Sequence, residues 1–329
     1  MPALLARLPG LAAALTLGLA ALALAALPAV AALHVSALTL AIVLGMLVGN
    51  ALGPRLPGSL APGVGFAQRQ VLRLGVILYG LRIGFADIAT IGPGGLALDV
   101  VIVTGTLALG VTIGRHWLGL DRDTALLTAC GSAICGAAAV LAAERVLKAE
   151  PGKVAIAVAS VVLFGTLDIF LYPLLFPHLG LSAHAFGLFT GATVHEVAQV
   201  VAVGNAVSPA TADTAVIVKL TRVLLLVPFL FVLGAWQARR GGERHMVVPW
   251  FALGFLAMCV ANSLITLPVA LRAFLLDLDG LLLAIAMAAL GMETRFARLR
   301  ALGPRPLLLA TLLFAWLVGG GYVLTRLLA

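Results

Sequence analysis

The polar residues best suited to chemistry lie inside apolar stretches of the sequence. His195, Glu196 and Gln199 are three polar groups in one apolar segment. A spacing of four residues predicts that His195 and Gln199 share a helix face, with Glu196 about 100° away. The sequence HEVAQ lacks the second histidine of the HExxH zinc motif, so a metalloprotease is a weak interpretation. Two interpretations remain, a proton- or ion-coupling site and interhelical hydrogen bonding without transport chemistry.

Two basic residues lie in the next apolar segment, AVIVKLTRVLLLVPF. A charge at the centre of a membrane helix costs roughly 2.5–3.5 kcal/mol, so Lys219 and Arg222 require partners or a wet cavity. Their spacing of three places them on one face, where together they could bind a divalent oxyanion. The competing interpretation is that these side chains snorkel to the lipid headgroups. Asp168 is a candidate partner for Lys219 or a candidate proton carrier.

Two glycine-containing stretches, CGSAICG and TGATVHE, predict helix interruptions. Glycine costs a helix roughly 1 kcal/mol relative to alanine, and nearby hydroxyl groups can bond freed backbone groups. A helix that restarts there points N–H groups and its positive end at an anion. The alternative is that small residues only permit close helix packing. The predicted substrate-binding residues are Cys130, Gly131, Ser132, Cys135, Gly136, Thr190, Gly191, Thr193, His195, Gln199, Lys219 and Arg222. The predicted coupling residues are His195, Glu196 and Asp168.

The composition predicts an all-α integral membrane protein that lacks a separate soluble domain. Of 329 residues, 62% are hydrophobic and 10% are charged, and the mean hydropathy is +1.16. Only helices and closed barrels satisfy their backbone in lipid, and alternating barrel strands are absent from the sequence. The net charge of +8 comes from basic residues that sit singly or in pairs, which indicates membrane topology and not nucleic-acid binding. Cys130, Cys135 and Cys259 form no CxxC spacing, and we expect no metal or cofactor.

The apolar pattern predicts about eleven spans in one transporter domain, residues 1–329. The predicted spans are residues 9–31, 36–52, 70–84, 95–114, 124–146, 154–176, 183–203, 211–235, 249–271, 280–294 and 306–327. Loop charges predict an inner-membrane protein with a cytoplasmic N-terminus. The residues assigned to cytoplasmic loops are Arg55, Arg69, Arg115, Arg122, Arg239, Arg240, Arg244, Arg295, Arg298, Arg300 and Arg305, and the loops near His34 and His178 and at 204–213 are assigned to the outside.

Segments 124–146 and 183–203 break the simple alternation of loop charge. Arg145, Lys148 and Lys153 follow the first of them, whose preceding loop is also basic. Either both segments are broken or re-entrant elements that enter from opposite faces, or they are ordinary spans with an imperfect charge bias.

Two internal similarities favour inverted repeats. Residues 118–142 resemble 179–202, and residues 79–98 resemble 290–309. Both pairs have opposite predicted orientations, as an inverted-repeat transporter requires, although the two offsets demand a permuted order.

Four stretches carry a family resemblance that extends over nearly the whole chain: CGSAICGAAAVLAAERVLKA, TGATVHEVAQV, VKLTRVLLLVPF and LYGLRI. In these stretches the chain resembles the sulfate exporter family of conserved bacterial inner-membrane proteins. That family is grouped with the cation:proton antiporter and bile-acid symporter superfamily. The resemblance implies inverted repeats, two discontinuous crossing helices near Cys130–Gly136 and Thr190–Gln199, and a scaffold that can form a homodimer. It also implies export of sulfate or of a related oxyanion such as sulfite.

Three functional hypotheses follow for this membrane protein. The first is an anion exporter that works by alternating access, with lipid and a small anion as its partners and no enzymatic activity. The second is a cation:proton antiporter of similar fold that uses Asp168 and Glu196. The third is a membrane thiol enzyme that pairs Cys130 or Cys135 with His195.

Overall fold

The computed structural model describes residues 5–31, 36–52, 58–239, 250–295 and 303–328. Within these ranges the regular structure is helical and contains no strand, in agreement with the predicted fold class. Several positions used for the topology prediction lie outside the described residues: His34, Arg55, Arg240, Arg244, Arg298 and Arg300.

Fifteen α-helices of eight residues or more occur in the described ranges. They are α1 (Leu8–Ala25), α2 (Ala37–Ala51), α3 (Leu72–Tyr79), α4 (Gly92–Thr112), α5 (Arg122–Ala133), α6 (Ala137–Leu147), α7 (Pro151–Leu179), α8 (Ala183–Thr193), α9 (Val197–Asn205), α10 (Pro209–Leu224), α11 (Leu226–Ala238), α12 (Trp250–Leu264), α13 (Val269–Glu293), α14 (Pro304–Ala315) and α15 (Gly321–Leu328). Short helical turns are Pro28–Ala31, Gly58–Leu60, Ala61–Phe66, Gly80–Arg82 and Phe85–Ala89, and π-helical turns are Ala67–Val71, Ile113–Trp117 and Trp316–Gly320.

Six continuous helical stretches in the described part of the chain are long and apolar enough to cross a membrane. They are Leu8–Ala25, Gly92–Trp117, Pro151–Leu179, Pro209–Ala238, Val269–Glu293 and Pro304–Leu328. Two shorter apolar helices, Ala37–Ala51 and Trp250–Leu264, accompany them. The chain therefore has the helices of a multi-pass membrane protein.

The helices group into two compact units that are discontinuous in sequence. Unit 1 comprises the described parts of 1–87 and 251–297, and unit 2 comprises those of 88–250 and 298–329. The single transporter domain over 1–329 stays a prediction.

Close backbone packing at glycine organises unit 1 around α13. The helix lies against α1, α2 and α3. A Cβ atom on Gly291 of α13 would collide with the carbonyl oxygen of Ile42 and the amide nitrogen of Met46, both on α2. Small residues allow membrane helices to approach until their backbones touch, and this contact replaces the hydrophobic driving force that lipid removes.

Unit 1 also contains an ion pair between an exposed arginine and a buried aspartate. The Nε atom of Arg82 donates to Oδ2 of Asp279 over 2.8 Å, and the Asp279 side chain is fully buried. The same guanidinium donates to the carbonyl oxygen of Leu276 over 3.1 Å and lies 5.3 Å from the ring centroid of Tyr79. The pair offsets the cost of burying a carboxylate in α13.

We predict that Gly291→Ala destabilises the protein and that Gly280→Ala does not, although both glycines lie in α13. The first substitution drives a methyl group into the backbone of α2, and overpacking of this kind costs roughly 1–3 kcal/mol. A Cβ atom at Gly280 meets nothing within 4 Å, and alanine is the better helix former. Thermal unfolding in detergent should show a lower Tm for the first variant only. Equal melting temperatures would contradict the close-packing account.

Candidate functional site

Two interrupted helices lie at the centre of unit 2. The α5 helix ends at Ala133 and α6 begins at Ala137, while α8 ends at Thr193 and α9 begins at Val197. Both interruptions fall inside the two glycine-containing stretches. The first depends on Gly136, whose φ of +66° and ψ of −136° are seldom adopted by residues with a Cβ atom. Helix propensity therefore located both interruptions correctly.

The ammonium group of Lys219 joins the two interruptions. Its Nζ atom donates to the carbonyl oxygen of Ile134 over 2.8 Å and to that of Val194 over 2.6 Å. These carbonyls immediately follow α5 and α8, where a helix leaves its last carbonyls without intrahelical donors. One cation therefore satisfies an orphan acceptor from each half-helix.

The guanidinium of Arg222 makes an equivalent connection one turn further along α10. It donates through Nε to the carbonyl oxygen of Ala133 over 2.5 Å and through Nη2 to that of Ser132 over 2.6 Å. Its Nη1 atom donates to the carbonyl oxygen of Ala192 over 2.5 Å. The planar fork suits several acceptors at once, in contrast to an ammonium group.

Both cations lie at the negative ends of α5 and α8, where a positive charge is stabilising. Lys219 and Arg222 are each 0% exposed, so the snorkelling interpretation is wrong for both. Their predicted common face is present, and it is turned towards the backbone carbonyls of the two interruptions. Their predicted contact with substrate stays a prediction.

The opposite ends of the interrupted helices meet at Glu196. The backbone nitrogen of Ala137, the first residue of α6, donates to Oε1 of Glu196 over 3.3 Å. Glu196 is also the N-cap of α9, where it forms a capping box with Gln199, whose Oε1 accepts from the Glu196 nitrogen over 2.9 Å. A Cβ atom on Gly136 would lie 2.5 Å from Cγ of Glu196. One carboxylate therefore occupies the positive ends of two helices.

His195 pairs with Asp168 beside this carboxylate. The Nδ1 atom of His195 lies 3.0 Å from Oδ2 of Asp168, and both side chains are buried. His195 lies in the interruption, before α9 begins, so the predicted shared helix face with Gln199 is wrong. A carboxylate that bonds one ring nitrogen fixes the tautomer of the imidazole, which suits the dyad to hold or transfer a proton.

The α7 helix presents a polar face to the second interruption. Gly165, Asp168 and Tyr172 follow one another at spacings of three and four residues. A Cβ atom on Gly165 would collide with the side-chain amide of Gln199. The Tyr172 hydroxyl donates to Oγ1 of Thr193 over 2.9 Å. Gly165 and Tyr172 were not predicted, and their register with Asp168 was the available signal for them.

Asp99 is a buried carboxylate that the sequence analysis did not single out. Its side chain is 1% exposed and lies within electrostatic range of Lys219 and Arg222. An aspartate in the middle of the apolar run LALDVVIV was the available signal.

Several buried polar atoms in unit 2 have no hydrogen-bond partner. They are Oδ1 of Asp99, Oγ1 of Thr128, Oγ1 of Thr166, Oδ1 of Asp168, Oγ1 of Thr190, Nε2 of Gln199 and Oε1 of Gln237. Leaving such an atom unsatisfied costs roughly 1–3 kcal/mol. Clusters of them mark positions where water or a polar ligand binds.

The small residues around the interruptions serve close packing as well. A Cβ atom on Gly131 would press on Val161 and Val140, and one on Gly191 would collide with the carbonyl oxygen of Ala215. The Sγ atom of Cys130 lies 3.6 Å from the carbonyl oxygen of Ala139, and Cys135 is also buried. Within the described residues no three His, Cys, Asp or Glu side chains are grouped as metal ligands would be.

The outer end of α5 is fixed by a surface network. The carboxylate of Asp121 accepts hydrogen bonds from the Thr124 side chain over 2.6 Å and backbone over 3.2 Å, and it lies 3.2 Å from Nζ of Lys153. Burial alone would raise the pKa of Asp121, but these bonds and the Lys153 charge outweigh burial and hold that pKa below its usual value. The network thus anchors the half-helix that ends at the first interruption.

We predict that Lys219→Met lowers the Tm of the protein strongly, whereas Lys153→Met has little effect. The first change leaves the buried carbonyl of Ile134 without a donor and that of Val194 with only a 3.5 Å bond from Arg222. A buried acceptor that loses its donor costs roughly 1–3 kcal/mol. The second removes a solvent-screened surface pair and serves as the matched control. Differential scanning fluorimetry in detergent measures both. Equal melting temperatures would show that the carbonyl bonds of Lys219 do not stabilise the fold.

We predict a similar contrast between Gly136→Ala and Gly152→Ala. Alanine at 136 must adopt a φ of +66° and displace the Glu196 side chain, and the backbone strain alone costs roughly 1–3 kcal/mol. Gly152 lies in the first turn of α7, where a Cβ atom meets nothing within 4 Å. Only Gly136→Ala should lower the Tm of the protein. A lower Tm for Gly152→Ala alone would refute the assignment of backbone strain to position 136.

Sequence comparisons are consistent with a bacterial membrane protein of this kind. A UPF0324 membrane protein of Pseudomonas aeruginosa is 51% identical over 306 residues, which cover 89% of this chain and 86% of the relative. A UPF0324 membrane protein of Bordetella bronchiseptica is 50% identical over 314 residues, covering 92% of this chain and 97% of the relative. The UPF0324 inner membrane protein YeiH of Escherichia coli is 47% identical over 321 residues, covering 95% and 92%. No solved structure matches the chain. The family model described as "Conserved hypothetical protein 698" matches residues 9–310, and the chain belongs to this family of bacterial membrane proteins.

Proposed function

We propose that the chain is a secondary transporter that exports a small sulfur oxyanion, of the sulfate or sulfite class, across the inner membrane by alternating access. The observation that carries the proposal is the attachment of Lys219 and Arg222 to carbonyls at the ends of both α5 and α8. Irregular backbone at membrane depth is tolerated where protein encloses it or where it lines a polar cavity. Transporters place their substrate and coupling ions at such interrupted helices.

The N-termini of α6 and α9 favour an anion as the substrate. Helix N-termini present N–H donors and a positive partial charge. Here they already bind a carboxylate, that of Glu196, which supports their capacity to bind an anionic oxygen. The donors of Lys219 and Arg222 point at carbonyls, so these residues contribute mainly through their charge. The sulfur oxyanion itself is taken from the family resemblance.

The wider architecture belongs to the same proposal. It has eleven membrane segments, inverted repeats, a cytoplasmic N-terminus and a scaffold that forms a homodimer. Export needs little coupling, because each negative charge that leaves a cell with a negative interior gains roughly 2.3 kcal/mol per 100 mV. The Asp168–His195 pair is the proposed proton carrier.

A second candidate is a cation:proton antiporter. It is favoured by the burial of three carboxylates in unit 2, those of Asp99, Asp168 and Glu196. In this alternative the three carboxylates would bind the exchanged cation, and the proton would leave through His195.

We predict that liposomes containing the protein transport radiolabelled sulfate or sulfite with saturation, and faster when the membrane potential drives anions out of the compartment. Lys219→Ala should reduce the flux at least tenfold, and Lys153→Ala should not. Because Lys219→Ala also removes bonds to the backbone, Asp168→Asn provides a second variant that keeps the side-chain shape and removes only a charge. Sodium-dependent proton release without any oxyanion flux would overturn the proposal in favour of the antiporter.

A further inference from the structure

Glu196 stands where the proposed substrate would bind. Its carboxylate lies at the first backbone nitrogen of α6, 3.3 Å from that atom, and it caps α9 as well. The α6 and α9 helices have eleven and nine residues, so each is long enough to have a positive partial charge at its N-terminus. An anionic oxygen is the group that such ends bind.

We infer that Glu196 is a tethered competitor of the substrate. Its ionised carboxylate fills the oxyanion site between the first turns of α6 and α9. A sulfur oxyanion binds there only after a proton has neutralised this carboxylate and the side chain has moved away from the nitrogen of Ala137. The inference rests on the proposed function and adds to it a fixed relation, one proton taken up for each oxyanion bound.

A donor that Glu196 does not use supports a larger occupant. The side-chain amide of Gln199 is 0% exposed, and its Oε1 accepts from the Glu196 nitrogen, which holds the amide at the start of α9. The Nε2 atom of the same amide has no hydrogen-bond partner. A tetrahedral or pyramidal oxyanion has more acceptor oxygens than a carboxylate and can use the Ala137 nitrogen and Gln199 Nε2 together.

Glycine at two positions brings these groups together. A Cβ atom on Gly136 would press on the Glu196 side chain, and one on Gly165 would collide with the Gln199 amide. The backbone thus approaches the carboxylate and the amide as closely as a backbone must approach a bound anion.

The charges near Glu196 favour the replacement of its carboxylate by an oxyanion. Glu196 lies within electrostatic range of Cys135 after α5 and of Lys219 on α10, and it directly follows His195 in the chain. Lys219 in turn lies within electrostatic range of Arg222, of Asp99 on α4 and of Asp168 on α7. With Glu196 ionised, its charge offsets part of the charge of Lys219. Protonation of Glu196 removes this compensating negative charge, and a bound oxyanion restores it.

We predict that sulfate binds the wild-type protein about tenfold more weakly for each pH unit above the range in which Glu196 is protonated. Isothermal titration calorimetry from about pH 5.5 to 8.5 measures this, since sulfate stays divalent throughout. Glu196→Gln keeps the shape and the hydrogen-bond acceptor and loses the charge. This variant should lose the tenfold change per pH unit, keeping only the dependence that the Asp168–His195 pair contributes, and it should bind sulfate more tightly than wild type at high pH. Glu144→Gln, which removes a carboxylate from α6 two turns beyond its start, should retain the wild-type dependence.

The possible results separate the two proposals. If Glu196→Gln shows the wild-type pH dependence, the tethered competitor is overturned, while sulfate binding still supports an oxyanion transporter. If folded wild type and variant both fail to bind sulfate and sulfite at every pH, both proposals are overturned. Should Glu196→Gln fail to fold, Glu196→Ala carries the same expectation, and a tenfold change in affinity per pH unit in that variant contradicts the inference.

Discussion

The centre of unit 2 depends on two buried cations that bond the loose carbonyls of two half-helices. Five backbone carbonyls at the ends of α5 and α8 have no donor within their own helix, those of Ser132, Ala133, Ile134, Ala192 and Val194. The side chains of Lys219 and Arg222 are fully buried. An unbonded carbonyl or an unpaired cation would each cost free energy in the interior of a membrane protein. Here the two cations donate hydrogen bonds to the carbonyls, and the low dielectric of the interior strengthens these bonds. The interruptions and the cations therefore require each other.

This arrangement separates charge across the interruptions. The negative ends of α5 and α8 face Lys219 and Arg222, while the positive ends of α6 and α9 face Glu196. The same residues thus stabilise the fold and bring the N-termini of two helices to one carboxylate. Local sequence rules are broken here, by Gly136 in a strained conformation and by charges in apolar helices, as is common at functional sites.

The sequence predicted the membrane class, both helix interruptions and the burial of Lys219 and Arg222. Each of these predictions depends on a local property of the sequence: the length of an apolar segment, glycine in a helix, or a charge in lipid. It did not predict their partners. Asp168 bonds His195, 27 residues away, and Glu196 reaches the start of a helix 59 residues earlier. A local cost reveals that a partner exists, but the path of the chain decides which residue it is.

The discontinuity of unit 1 has a consequence for biogenesis. The α2 helix packs its glycines against α13, which the ribosome makes only after roughly two hundred further residues, including nearly all of unit 2. Early in synthesis, the Gly45 and Gly49 surface of α2 must therefore face lipid or the insertion machinery. Unit 1 can therefore close only after most of unit 2 has been synthesised. A chain truncated before α13 would leave this small-residue surface exposed, and surfaces of this kind are where membrane helices associate with the wrong neighbours.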